Sequence, residues 1–239
     1  MGTKLSVNIN KIATLRNARG GTLPSVIEAA RQIQSFGADG ITIHPRPDER
    51  HITTKDVYDL KPIVYSEFNI EGYPDDRFLK LLSDTRPEQA TLVPDPPGTL
   101  TSDAGWDTIS NFKKLEELNT KIKSMGIRTS IFIEPNSDLI EAAAKIGFDR
   151  IEFYTGPYAD QYKNDKANAI LPFILAAKTA NRCNLGINAG HDLNFENLKY
   201  FKQNIPNLLE VSIGHALISD ALYLGMENVV NMYKNLLLD

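Results

Sequence analysis

The chain has 239 residues, 42% of them hydrophobic and 23% charged, the balance of a soluble globular protein with a large core. Its net charge of −4, from 26 basic and 30 acidic residues, argues against nonspecific binding to nucleic acid or anionic membranes, which needs a basic surface. A single cysteine, Cys183, excludes an internal disulfide framework and a cysteine-rich zinc site, and no segment reaches the ~20 apolar residues of a membrane span.

Length alone allows one or two domains. The start, MGTKLSVNIN, lacks the apolar run of a secretory leader, so a cytosolic protein is expected. Residues Leu5–Asn10 read as a first strand, with Val7 and Ile9 alternating against Asn8 and Asn10. A cation-bearing loop is expected next, carrying Lys11, Arg16 and Arg19 before Gly20 and Gly21. In TLPSVIEAARQIQSFG, Val26, Ala30, Ile33 and Phe36 recur at helical spacing, with Pro24 near the start and Gly37 at the end. Further strands are predicted at Gly40–Pro45, Phe68–Gly72, Ala90–Pro94, Arg128–Glu134, Arg150–Gly156, Asn184–Gly190 and Leu209–His215, all rich in Val, Ile and Phe. Amphipathic helical patterns lie between them. SFGADGITIHP, SMGIRTSIFIE and KIGFDRIEFYTG each close a helix on a glycine and enter a strand within a few residues.

Eight strands, each followed by a helix, predict a (β/α)8 TIM barrel with extra helices, residues 1–239 forming one domain without a long linker. The competing architecture is a doubly wound open sheet, but the early GG is not a G-x-G-x-x-G fingerprint. Two segments exceed a minimal barrel. PDPPGTLTSDAGW after the fourth strand is expected to be a lid, and the long stretch after the sixth strand is expected to hold an extra helix.

The chain has four histidines. His44, His191 and His215 end predicted strands, and His51 follows in the loop after the second. One such histidine would be read as a hydrogen-bonded structural group; four on one rim suit proton transfer. Glu71 falls near the end of the third strand, and periodicity leaves open whether it or its neighbours face the lumen. Glu134 and Glu152 are expected to be supporting carboxylates. Arg16, Arg19, Arg46 and Arg50 place guanidinium groups on the same rim, where they suit phosphate or carboxylate. Arg16 and Arg50 also fit a salt-bridged surface. Gly214, between the last strand and the last helix, lets backbone N–H groups approach an anion, and Gly190 with His191 lies beside it. No motif has metal-site spacing. From the residues alone, the expectation is a barrel enzyme acting on small phosphorylated substrates by acid–base chemistry.

VNINKIATLRNARGG, GADGITIHPRPDERHIT, INAGHDL and IGHALI resemble the motifs of the pyridoxine 5′-phosphate synthase family, from the first strand to the last helix. The resemblance implies a (β/α)8 barrel with additional helices that needs no metal or organic cofactor and assembles as a homo-octamer. It implies condensation of 3-amino-2-oxopropyl phosphate with 1-deoxy-D-xylulose 5-phosphate to give pyridoxine 5′-phosphate, phosphate and water. By the same resemblance Asn8, Arg19, Asp192, Gly214 and His215 would bind the aminoketone phosphate. Asn10, Lys11, Arg46, His51 and Thr101 would bind the sugar phosphate. His44 and Glu71 would accept protons and His191 would donate one. The chain departs from the family's commonest motif at Asn10-Lys11, which replaces Asp-His, and at Asp192, which replaces glycine. Two other readings stay open at this point. One is a different phosphate-handling barrel, such as a ketose-phosphate aldolase with Lys11 as its only obvious Schiff-base lysine. The other is a catalytically silent ligand-binding protein.

Overall fold

The structure is a computed structural model that describes residues 2–95 and 104–238. Eight parallel strands close into a barrel in sequence order: β1 (Lys4–Asn8), β2 (Gly40–Ile43), β3 (Glu67–Gly72), β4 (Gln89–Leu92), β5 (Arg128–Ile133), β6 (Arg150–Phe153), β7 (Gly186–Gly190) and β8 (Leu208–Ile213). β8 returns to pair with β1, with Ser6 opposite Ser212, so the sheet has no edge. The ladder slips once, between Ile187 and Asn188 where β7 meets β8. All eight predicted strands are present, with ends shifted by a few residues.

Helices cover the outside: α1 (Asn10–Arg19), α2 (Val26–Ser35), α3 (Thr54–Leu60), α4 (Asp76–Thr85), α5 (Phe112–Ser124), α6 (Ser137–Ile146), α7 (Gly156–Arg182), α8 (Leu198–Asn204), α9 (His215–Leu224) and α10 (Met226–Leu236). Local chemistry starts and stops them. Ser25 caps α2 through the Glu28 N–H, and Thr53 forms a reciprocal box with Asp56 at α3, each such cap contributing about 1 kcal/mol. Gly37, Gly126 and Gly147 all adopt the left-handed conformation after their helices, as their glycine-to-strand motifs predict. The α7 stretch breaks at Asp165, whose φ of −154° and ψ of 83° are not helical, so two helical segments fill the long excursion after β6. None of the described helices is long and apolar enough to cross a membrane.

One local expectation is corrected. The cations after β1 do not lie on a loop: Lys11, Arg16 and Arg19 are all on α1. The helix was hidden because it buries only Ile12 and Ala13 and has no side-chain N-cap. Its Gly20 stop and basic last turn were the available signals.

The strand faces divide sharply. Leu5, Val7, Ile41, Ile43, Phe68 and Ile70 are buried against the helical layer. The alternate residues point into the barrel, a place commonly filled by branched aliphatic side chains; most of them are polar, with Phe132 an apolar exception. Ser6 and Thr42 hydroxyls lie 2.7 Å apart, Asn69 donates to Thr42 at 3.3 Å, and Thr91 donates to Asn69 at 3.0 Å. Nearer the strand N-termini, Arg150 meets Glu210 at 3.1 Å and lies 3.9 Å from Glu67, which also pairs with Arg128. Burial and the neighbouring Glu67 push Glu210 up to about 8, and the hydrogen bond from Glu210, aided by the arginines, holds Glu67 below its ordinary range against the opposing effect of its own burial. This charged floor supports a polar lumen whose upper end is open to the loops after the strands.

Candidate active site

Every histidine of the chain lies on that upper rim: His44 and His51 after β2, His191 after β7 and His215 at the start of α9. The centre of the site is a chain of hydrogen bonds linking β1, β2 and β3. Asn10 Oδ1 accepts from the His44 backbone N–H at 2.9 Å. The Asn10 N–H in turn donates to Asn8 Oδ1 at 3.0 Å, and Asn8 Nδ2 donates to Glu71 Oε2 at 3.4 Å. His44 Nδ1 lies 4.0 Å from the same carboxylate oxygen. From across the barrel, the Ser212 hydroxyl on β8 reaches Glu71 Oε1 at 3.5 Å. The phase of β3 is thereby resolved: Asn69 and Glu71 face the lumen, and Phe68 and Ile70 face the helices.

Burial separates the protonation states of these groups. Burial and the nearby Asp95 push Glu71 up to about 8, so at neutral pH it is mostly a neutral acid. Burial and the Arg46 charge hold His44 well below the usual imidazole range, which leaves it a neutral base. Glu152, buried on β6, is also pushed well up by its burial and by Glu71. His191 behaves in the opposite way. Its burial works against the charged form, but the hydrogen bond and charge of Asp192 outweigh this and raise it. A carboxyl and an imidazole that favour the neutral form thus face an imidazole that favours the cation, a separation suited to moving protons near neutral pH.

His51 is positioned from beneath. Arg16 on α1 forks onto both Asp56 oxygens, at 2.5 and 2.8 Å, and its Nη2 also donates to the His51 carbonyl at 3.2 Å. Asn17 Nδ2 donates to the same carbonyl at 2.8 Å. The His51 Nδ1 accepts from the Ile52 N–H at 2.9 Å, which leaves Nε2 to carry the ring proton. Burial, Arg46 and Lys11 bring His51 down to about 4, so it is a neutral N–H donor. Lys11 is exposed in the first turn of α1, close enough for its charge to act on His51. Arg46 is buried and pairs with Asp95 at 2.9 Å. Arg50 is tied to Asp48 on the rim, the salt-bridged alternative for that residue.

The opposite side of the site is built from backbone. A Cβ on Gly214 would stand 3.0 Å from the Asn8 Cβ and 3.1 Å from its carbonyl oxygen, so this glycine brings the start of α9 against the end of β1. Among the described residues no side chain caps this ten-residue helix, so its first-turn N–H groups begin beside Asn8 without a side-chain acceptor. Gly190 is as constrained: its Cβ would meet the Ser212 carbonyl oxygen at 2.4 Å and Glu152 Oε1 at 3.0 Å. Arg19 is exposed in the last turn of α1 and, among the described residues, has no hydrogen-bond or ion-pair partner. Glu134, at the end of β5, accepts from the Gly105 N–H at 3.2 Å, which fits its supporting role. Residues 96–103, with Thr101 and most of the expected lid, lie outside the described residues.

Asn8, Asn10, His44, Glu71 and Gly214 are therefore in one connected group, with His51, Arg46 and Lys11 on one flank and His191 on the other. Two contributors had no place in the sequence expectations. Asp95 carried one signal, a carboxylate directly after a predicted strand. Ser212 carried none beyond its place in the strand alternation.

Comparison with known proteins follows the same outline. The family model described as "Pyridoxal phosphate biosynthesis protein PdxJ" matches residues 5–239. The chain belongs to the PdxJ family. The protein named pyridoxine 5′-phosphate synthase in Bacteroides fragilis strain YCH46 is 60% identical over 235 residues, covering 98% of this chain and 99% of that one. The Flavobacterium johnsoniae protein of the same name is 60% identical over 231 residues, covering 97% and 98%. Among solved structures, thiamine phosphate pyrophosphorylase from Pyrococcus furiosus superposes with a TM-score of 0.63 at 12% identity, covering 98% of this chain and 95% of that one. Phosphoribosyl anthranilate isomerase from Thermotoga maritima gives 0.61 at 15%, covering 98% and 97%. At those identities the likeness is one of fold.

Proposed function

We propose that this PdxJ-family chain is a pyridoxine 5′-phosphate synthase, condensing 3-amino-2-oxopropyl phosphate with 1-deoxy-D-xylulose 5-phosphate to give pyridoxine 5′-phosphate, phosphate and water. The observation that carries the reading is the joining of His44, Glu71, Asn8 and Asn10 in one hydrogen-bonded group at the barrel mouth, within a chain about 60% identical to relatives of that name.

The aminoketone phosphate sits at the start of α9, held by main-chain N–H groups at Gly214 and His215, with Asn8 beside it and Arg19 folding in from α1. The sugar phosphate lies on the other flank. There His51 offers its Nε2–H, Lys11 and Arg46 supply charge, and Asn10 supplies its amide, joined by Thr101 as the family resemblance implies. Lys11 replaces a titratable histidine with a fixed cation, and Asn10 exchanges a carboxylate for an amide that both donates and accepts.

The substrate amine attacks the sugar ketone and water leaves to form an imine. Elimination of the sugar's phosphate, addition of water, an aldol-type closure and two dehydrations then form the aromatic ring, for a net release of phosphate and water. Each step moves a proton. His44, neutral in its buried position, accepts one. Glu71 is a neutral acid in the free site; an incoming ammonium group favours its carboxylate and so converts it to an acceptor. His191 donates to the leaving oxygen. The phosphates hold both reactants while these transfers occur.

The quaternary assembly we propose is the homo-octamer implied by the family resemblance, and the location is the cytoplasm. Sedimentation of the purified protein near eight times 26.6 kDa is the expected result for the former. The deciding experiment mixes purified protein with both substrates and measures pyridoxine 5′-phosphate and released phosphate. Formation of neither would reject the proposal.

A further inference from the structure

His191 stands in a conformation that needs an explanation. Its φ is +57°, in the left-handed region, where a non-glycine residue costs roughly 1–2 kcal/mol and persists only if its surroundings impose it. The two peptide groups flanking it are bound by a single side chain. The buried Thr155 hydroxyl, just after β6, donates to the Gly190 carbonyl and accepts from the Asp192 N–H at 3.2 Å. Asn197 Nδ2 adds a bond to the Asp192 carbonyl at 3.2 Å. The turn is thus fastened on both sides of the histidine, and the Asp192 N–H is shared between the Gly190 carbonyl at 2.8 Å and the Thr155 hydroxyl at 3.2 Å. The Asp192 side chain is turned back onto the ring, with Oδ2 2.7 Å from His191 Nδ1. The ring also lies beside Phe132 and Tyr154, with centroids 6.4 and 6.1 Å away.

We propose that Asp192 is a positioning residue for His191: its carboxylate holds Nδ1–H, turns Nε2 toward the reactants as the proton-donating atom, and is locked in place by the Thr155 hydroxyl. This rests on the reading of His191 as proton donor given above. It assigns Asp192 a part through its side chain, where a glycine at the same position offers only backbone.

The electrostatic surroundings agree. The groups acting on His191 are Asp192 from its own turn, Glu152 from β6, Asp95 after β4 and His44 after β2. Glu152 is itself pushed toward its neutral form and contributes little charge near neutrality, and His44 is held neutral. Asp192 is therefore the main anion keeping the partly buried imidazole charged, and without it desolvation would favour the neutral ring.

The test uses the full-length protein carrying 13C-labelled histidine, with His191 assigned by its loss in His191→Asn. Asp192→Asn keeps a hydrogen-bond acceptor but removes the charge. The expected result is a fall of about one unit in the His191 titration midpoint. The high-pH limb of kcat should move down with it, and KM for either phosphate should change less than about threefold. Thr155→Val should lower kcat at least tenfold at nearly constant KM, and Thr155→Ser should restore it. An unchanged His191 midpoint in Asp192→Asn would overturn the proposal. So would a rise in aminoketone KM with an unmoved kcat profile, which would make Asp192 a neighbour of the phosphate instead. Should Thr155→Val fail to fold, a tenfold kcat loss in Thr155→Ser would remove the lock from the proposal. If the protein makes no product yet the midpoint shifts, the pairing stands and the assigned reaction fails, so the two failures remain distinct.

Discussion

Glu71 shows how a single buried carboxylate links chemistry to stability. Its folded value of about 8 lies above that of an unfolded glutamate, so between those values the native state binds the extra proton. Its contribution is fully present below the unfolded value and is lost as pH rises through about 8. Replacing it by glutamine removes that penalty. Glu71→Gln is expected to gain at least ~1 kcal/mol of stability at pH 8 and little at pH 4.5, measured by denaturant unfolding at both. The same variant should lose about 10²-fold or more in kcat while retaining both phosphates, since a general acid–base group is typically worth that much. Undiminished turnover in Glu71→Gln would remove the residue from the mechanism. The sequence made Glu71 a candidate but could not orient it, because both phases of β3 were chemically plausible. What oriented it were Asn8 and Ser212, residues 63 and 141 positions away in the chain.

At the scale of elements, α1 and the β8–α9 junction carry the positioning. α1 was illegible because its job is polar: its best-anchored side chain, Arg16, reaches Asp56 and the His51 carbonyl instead of packing on apolar neighbours. Arg16→Met is expected to leave Asp56 without its fork and to destabilise the protein by roughly 1–3 kcal/mol. It should also raise KM for the sugar phosphate more than for the aminoketone, a comparison that steady-state kinetics with each substrate varied will make. At the β8–α9 junction the sequence offered an expectation of anion binding, from the paired Gly190-His191 and Gly214-His215 strand ends, but nothing that made Gly214 the neighbour of Asn8. A Cβ there meets Asn8 at 3.0 Å, so the strand end must shift by a few tenths of an ångström. Gly214→Ala should therefore weaken aminoketone binding at least tenfold while changing sugar-phosphate binding less, as isothermal titration of each substrate can show.

Over the whole molecule, the barrel was readable because strand composition and the glycine stops at Gly37, Gly126 and Gly147 repeat with the βα unit. His44, His191 and His215 were readable because each follows a run that had to be a strand, and His51 because it lies in the loop after one of them. What sequence could not convey is which residues meet across the lumen, since those contacts depend on the closure of β8 onto β1.

The polar lumen has a practical consequence for anyone altering this protein. In most barrels the interior offers aliphatic layers that can be refilled with larger side chains to raise the melting temperature. Here most inner positions are polar and many are bonded to one another, among them Glu67 with Arg150 at the floor and Asn8 with Glu71 at the mouth. Improvements in thermal tolerance must therefore come from the layer between strands and helices, where Leu5, Ile41 and Phe68 lie, and a library directed there can vary freely without touching a proton-carrying group.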